Sequence, residues 1–296
     1  MLSLIFFILF PISLQMATNK VAIVTGANKG LGFAIVKLLC EKYNGKVYLT
    51  SRDENRGKAA CGDLKKLGLN PFYHQLDVTN DESIKTFLLY IQNKNYEVEI
   101  LINNAGILFL KSPEPKIYQA EQTIFVNFIS LVNFTEAILP FIKKGGKIVN
   151  ITSSSGHLCR IPSKEIKDKF SSEDLSLEEL KSLVNNYVQD VRNGKEIIKG
   201  WGESPYVVSK VAVNAYTFML HRRLNNEGII VNCVHPGYVM SDMTFGGGNI
   251  TPEDAAVVPV TLATEADVGG GYIWSNGQHV PWDGEDPRRY IDGKDV

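Results

Sequence analysis

The sequence predicts a doubly wound α/β fold: one domain built on a parallel sheet of about seven strands. Three observations predict it. Apolar runs rich in β-branched residues alternate with amphipathic stretches along the 296 residues. The central runs are apolar throughout, the pattern of parallel strands covered on both faces. A glycine-rich turn, Thr25-Gly26-Ala27-Asn28-Lys29-Gly30-Leu31-Gly32, joins the first strand to the first helix, the place where such turns seat nucleotide phosphates. With 44% apolar residues the chain can bury a large core. No composition shift marks a second domain. The expected body is residues 17–280, with an apolar extension at 1–16 and a tail at 281–296.

The first strand, 20–25, runs into the turn and a helix at 31–43. Gly26 allows the tight turn, Gly30 lets the backbone approach a pyrophosphate, and Gly32 permits close helix packing. The second strand, 46–50, leads into Ser51-Arg52. An NAD site usually carries an acid there to hold the ribose 2′-hydroxyl. Arg52, with Lys29 and Arg56, instead suits a 2′-phosphate through charge-assisted hydrogen bonds. Asp53 stands against this unless it pairs with Arg56. The expected cofactor is NADP(H).

The third strand, 72–76, ends at Asp77-Val78, where a side chain meets an adenine amino group. After a helix at 81–94, the fourth strand, 98–103, ends in Asn103-Asn104-Ala105-Gly106. Buried asparagines there need partners, either bracing the sheet or touching the adenosine ribose. The fifth strand, 146–152, ends in Thr152-Ser153-Ser154-Ser155, on the carboxyl edge where ligands bind in open α/β sheets. A serine run is commonly just a loop, but a hydroxyl at Ser153 is placed to donate to a carbonyl oxygen.

Residues 157–205 break the rhythm. Ser176 with Glu179 fits a capping box. Leu180, Leu183, Val184, Tyr187, Val188 and Val191 follow as one apolar helical stripe. This insert either packs on the body or walls a substrate cleft. It ends before Tyr206-Val207-Val208-Ser209-Lys210 in a helix at 207–227. Tyr206 and Lys210 share a helix face, and an ammonium beside a phenol lowers the tyrosine pKa, so the pair can pass a proton. The sixth strand, 229–235, precedes Pro236-Gly237, and a last strand lies near 271–275. Phe109, Tyr238 and Trp201 point to an apolar cleft.

In this order the motifs resemble the short-chain dehydrogenase/reductase family. They comprise TGxxxGxG at 25–32, NNAG at 103–106, Ser153, YxxxK at 206–210 and Pro236-Gly237. Within it the chain is most similar to monomeric NADPH-dependent carbonyl reductases, in Thr25-Gly26-Ala27-Asn28-Lys29-Gly30, His74-Gln75-Leu76-Asp77, Glu178-Glu179-Leu180 and the long insert. The resemblance covers residues 17–280 and implies a Rossmann fold. It also implies roles. Tyr206 is the proton donor, Lys210 holds the nicotinamide ribose and lowers the tyrosine pKa, Ser153 orients the substrate carbonyl, and Asn127 supports a proton relay through water. Gly26, Asn28, Lys29, Gly30, Leu31, Gly32, Arg52, Arg56, Asp77, Val78 and Asn104 bind the cofactor. So do Tyr206, Lys210, Pro236 and Gly237, and Val239 and Ser241 line the nicotinamide pocket. The insert helix covers a surface that other members use for tetramer assembly, which implies a monomer. Such reductases carry a cysteine before the Pro-Gly where this chain has His235, read here as a packed strand-end residue.

The function expected is NADPH-dependent reduction of a small ketone, aldehyde or quinone. A steroid or retinoid dehydrogenase and a non-catalytic nucleotide sensor are the alternatives. A formal charge of -1 points to neither nucleic acid nor an anionic membrane surface. Cys40, Cys61, Cys159 and Cys233 lack metal or disulfide spacing and read as reduced thiols of a cytoplasmic protein. Residues 2–10 are apolar but shorter than the roughly 20 needed to span a bilayer. They are either a targeting or anchoring segment or lie upstream of a start at Met16. Asn133, Asn150 and Asn249 match the glycosylation pattern. Asn150 lies in a buried strand, where a glycan has no room.

Overall fold

In a computed structural model, residues 19–291 are described. The reading of residues 1–16 as extension or anchor lies outside them. Seven parallel strands form one sheet in the order β3-β2-β1-β4-β5-β6-β7. They are β1 Lys20–Val24, β2 Lys46–Ser51, β3 Phe72–Gln75, β4 Glu97–Asn103, β5 Ile142–Ile151, β6 Ile230–Val234 and β7 Tyr272–Ile273. The order reverses between β1 and β4. That switch point opens a crevice at the carboxyl ends of the strands.

The uniformly apolar strands are explained by helices on both faces. On one face α1 (Gly30–Lys42), α2 (Glu54–Lys66) and α9 (Pro252–Thr264) cover Ala22, Val24, Val47, Leu49, Ile100 and Ile102. On the other, α3 (Asp81–Asn93), α4 (Lys116–Ile124), α5 (Ser130–Ile138) and α8 (Pro205–Leu224) cover Val21, Ile23, Tyr48, Leu101 and Ile148. At about 25 cal/mol per Å2 of apolar surface, this two-sided burial is the dominant favourable term. Among the described residues, one helical stretch, Lys116–Phe141, is long and apolar enough to cross a membrane. Its Ala120, Ile124, Phe128, Val132, Phe134 and Ile138 are built into the core.

The insert holds two helices, α6 (Lys164–Ser171) and α7 (Leu177–Arg192). Only α7 carries a strong sequence signal, because α6 buries just Ile166 and Phe170. The predicted capping box is present: Ser176 N–H donates to Glu179 Oε2 at 2.9 Å and Glu179 N–H to Ser176 Oγ at 3.2 Å. Leu180, Leu183, Val184, Tyr187 and Val188 are buried and Val191 partly so, and the helix packs on α4 and α8. Trp201 does not line a cleft. It is buried against Phe170 and Tyr187, and its indole N–H donates to Asp190 at 2.9 Å. A large ring five residues from Tyr206 in sequence looks like a site residue. The intervening turn carries it into the insert's own core instead.

Asn150 is fully buried, donating to Thr217 Oγ1 and accepting from Asn103 Nδ2, so its glycosylation motif is a coincidence of sequence. Residues 281–291 belong to the packed body. Trp282 is buried and α10 (Pro287–Tyr290) closes the described chain.

Candidate active site

The glycine turn takes the conformation its residues allow. Gly26 and Gly30 have φ of +62° and +55°, a region open to glycine. A Cβ on Gly26 would lie 2.9 Å from Ala105 Cα, and one on Gly32 would lie 2.8 Å from Ala27 Cα. Those two glycines serve packing. A Cβ on Gly30 would meet nothing nearer than Ser241 Cβ at 3.8 Å, so this backbone borders open space. Helix α1 begins there with Lys29 at its cap and, among the described residues, no side-chain cap hydrogen bond. Free N–H groups at a helix start favour a phosphate.

The NNAG segment braces this turn. Backbone N–H groups of Asn104 and Ala105 both donate to Thr25 Oγ1 at 3.0 Å. The Asn104 amide donates to Thr25 O at 2.9 Å and Gly26 O at 3.1 Å. Asn103 donates to Thr135 Oγ1 and Asn150 Oδ1. Both asparagines are therefore braces, and Asn104 shapes the cofactor site through the glycine turn. Thr25 is the anchor that sequence reasoning passed over. Its position at the strand end, as a hydroxyl facing two N–H groups, was the available signal.

The cations at the end of β2 divide by partner. Asp53 caps α2, accepting from the Arg56 N–H at 2.8 Å, and also pairs with the Arg56 side chain at 3.1 Å. Its carboxylate is thereby engaged and held below its usual pKa by those bonds. Lys29 pairs across the crevice with Asp242 at 2.6 Å. Arg52 is exposed and has no ion-pair partner among the described residues. Asp77 accepts from the Thr79 backbone and hydroxyl at 2.9 and 2.6 Å, and Val78 beside it is half-buried. Open space at Gly30, an uncapped helix start and the unpaired Arg52 fit a dinucleotide carrying a 2′-phosphate.

Beyond β6, Gly237 has φ of +89° and follows buried Pro236. The chain then bends so that Val239 pairs with Ile250 and Ser241 faces Gly30. His235 is buried with its ring edge-on to Trp274, centroids 4.7 Å apart, as a packed strand-end residue should be.

The chemical groups meet at the carboxyl ends of β5 and β4. Ser204 and Pro205 start α8 as cap and first residue, which puts Tyr206 in the first turn, half-buried and beside the Ser153 hydroxyl. Lys210 is buried one turn on. Its ammonium lies 5.6 Å from the Tyr206 ring centroid and donates to Ile151 O at 2.9 Å. The expectation that the lysine draws the tyrosine pKa down is not met in this arrangement. Burial pushes Tyr206 up to about 12, with the neighbouring Ser153 hydroxyl acting the other way. The ammonium sits over the ring rather than at the hydroxyl. Burial also brings Lys210 down to about 8. Tyr206 is therefore protonated at neutral pH, the form a proton donor requires.

Asn127 is buried in a π-helical turn, Phe125–Ile129, between α4 and α5; such bulges often mark functional sites. Its Oδ1 accepts from Ile107 N–H at 2.7 Å, and its amide donates to Ile107 O at 2.9 Å and Ser209 Oγ at 3.2 Å. A Cβ on Gly106 would lie 3.2 Å from Asn127 Oδ1 and 3.9 Å from Lys210 Nζ, so the asparagine flanks the lysine's chamber.

Two solved structures share this architecture. Salutaridine reductase from Papaver somniferum superposes with a TM-score of 0.79 at 28% identity, covering 86% of this chain and 99% of that one. Menthone neomenthol reductase from Mentha piperita gives 0.75 at 29%, covering 88% and 99%. By sequence, carbonyl reductase (NADPH) 1 of Rattus norvegicus is 41% identical over 83% of this chain and 91% of its own length. The Sus scrofa protein of that name is 38% identical over 93% and 98%. The model of the short chain dehydrogenase family matches residues 20–163 and 194–246, flanking the stretch that holds α6 and α7. On the glycine turn, the Ser153–Tyr206–Lys210 cluster and these matches, the chain belongs to the short-chain dehydrogenase family.

Proposed function

We propose that the chain is an NADPH-dependent carbonyl reductase acting on ketones, aldehydes or quinones. The observation that carries this reading is the meeting of Ser153, Tyr206 and Lys210 beside a phosphate-binding turn flanked by the unpaired Arg52. NADPH, when bound, supplies the hydride. Ser153 and Tyr206 hold the substrate oxygen between two hydroxyl donors, and Tyr206 gives it a proton. Donors aimed at an oxygen that gains negative charge stabilise the transition state. Lys210 holds the ribose and offsets charge left on the phenol oxygen, and Asn127 fixes the wall behind it. Carbonyl reductases among the relatives support the substrate class.

The reading includes a cytoplasmic monomer. Support for the first is the set of free cysteines, Cys40, Cys61, Cys159 and Cys233. Support for the second is α7 packed across α4 and α8.

Turnover of NADPH and NADH side by side with a panel of quinones, aromatic ketones and aldehydes tests the function. Oxidation of NADPH at the expense of a carbonyl is expected. Tight NADPH binding without turnover across the panel would overturn it in favour of a nucleotide sensor.

The pH profile has a definite sign. A lysine whose pKa is lowered to about 8 is charged below that pH and neutral above it. Reduction should hold a plateau on the acid side and decline as pH rises through about 8. Tyr206, at about 12, stays protonated across that window. Lys210→Arg keeps a positive charge to about pH 12 and should remove the alkaline decline even where its overall rate is lower. An unchanged alkaline limb in that variant would assign the titration to another group.

A further inference from the structure

Tyr272 and Trp282 lie in the last strand and the tail, outside every motif named above, yet both bond to the loop that carries Ser153. The buried Tyr272 hydroxyl donates to Ser153 O at 2.7 Å. The Trp282 indole N–H donates to Gly156 O at 2.6 Å. Around them Leu158 N–H donates to Trp282 O at 3.0 Å, and His157 Nε2 lies 2.9 Å from Pro281 O.

The same loop lies flush on α8, the helix of Tyr206 and Lys210. Gly156 O also accepts from Asn214 Nδ2 at 2.9 Å. A Cβ on Gly156 would lie 2.7 Å from Thr152 Oγ1, 2.8 Å from Asn214 Nδ2 and 3.0 Å from Lys210 O. Trp282 packs its ring on Phe218 of α8, centroids 5.1 Å apart. Ser153 itself is extended, with φ of -164°, and its Oγ accepts from Ser155 N–H at 3.1 Å. The direction of its hydroxyl therefore follows from how its own peptide and the turn after it are held. Those are the two places where Tyr272 and Trp282 bond. A positioned hydroxyl donor loses its effect steeply when displaced by about 1 Å.

We propose that Tyr272 and Trp282 are positioning residues that set Ser153 against Tyr206, so that the last strand and the tail belong to the catalytic apparatus. This rests on the carbonyl-reduction reading above, in which Ser153 holds the substrate oxygen. Tyr272→Phe keeps the ring and its packing and deletes one donor. Loss of a hydrogen bond of this kind lowers kcat roughly tenfold. The dissociation constant for NADPH, read by fluorescence, should stay as in the wild type, because the cofactor turn is built on Thr25 and Asn104.

The decisive measurement is a double-mutant cycle on kcat with Ser153→Ala, since coupled residues are non-additive. In the Ser153→Ala background Tyr272→Phe should have little further effect, because the group it positions is gone. Trp282→Phe, which keeps an aromatic ring on Phe218, should behave alike and guards against a Tyr272 variant that folds poorly. Wild-type kcat in Tyr272→Phe and Trp282→Phe overturns the inference. So does the same tenfold loss with and without Ser153, or a parallel loss of NADPH binding. Full activity of Ser153→Ala alone overturns the role of Ser153, and with it the inference, through the reading on which it rests.

Discussion

Tyr206→Phe lowers kcat for NADPH-dependent carbonyl reduction by at least about 10²-fold, the scale of a lost general acid. The variant removes a single oxygen. The phenyl ring still fills the first turn of α8, and Lys210 keeps the face over which its ammonium lies at 5.6 Å. Ser153 still carries a donor to the substrate oxygen, but no group remains to complete the alcohol once the hydride has moved. With the proposed cofactor contacts at the glycine turn, Arg52 and Lys210 left in place, NADPH affinity should be nearly unchanged. The defect then appears in the chemical step: single-turnover rates with a quinone fall as far as kcat does. Near-wild-type turnover with the same quinone would mean that another group, or solvent, protonates that substrate.

The fold was legible because one period governs most of the chain. Strands buried on both faces leave uniformly apolar runs, and those runs located all seven strands to within a few residues. The site was legible where chemistry demands a residue type at fixed spacing, as at Gly26, Gly30, Ser153, Tyr206 and Lys210. What escaped depends on contacts between distant segments. Nothing local reveals that Asn104 and Ala105 hang on Thr25, whereas the pairing of Asp53 with Arg56, three residues apart, was within reach of the sequence. Trp201 read as a cleft residue from its place in the chain, but Asp190 and two aromatic rings draw it inward. Trp282 carried one faint signal, a tryptophan amid Asp, Gly and Pro in a stretch otherwise fit for a loose tail. The Tyr206–Lys210 electrostatics escaped for a different reason. Helical spacing brings the two side chains to one face but does not say whether the ammonium meets the hydroxyl or the ring.

Arg52→Ala is expected to weaken NADPH binding by about 10- to 100-fold while leaving NADH binding nearly unchanged. Of the three cations near the end of β2, two already hold carboxylates. Lys29 is held by Asp242 at 2.6 Å, and Arg56 by Asp53 at 3.1 Å. Either would have to leave a carboxylate before meeting a phosphate. Arg52 gives up no such partner, and its backbone is fixed, because its carbonyl accepts from Gln75 Nε2 at 3.1 Å. A charge-assisted hydrogen bond is worth about 1.5–3 kcal/mol, and each 1.4 kcal/mol is about a factor of ten in affinity. The NADH ribose has no 2′-phosphate and does not use that bond. Arg56→Ala should cost less, since it removes a group already paired and leaves the Asp53 cap on α2 in place. The contrast should shrink with added salt, because an exposed charge is screened over about 8 Å at physiological ionic strength. Fluorescence titration of both dinucleotides against both variants reads all of this at once. Equal losses for NADPH and NADH with Arg52→Ala would show that the residue supports the fold of the β2 end rather than reading the phosphate.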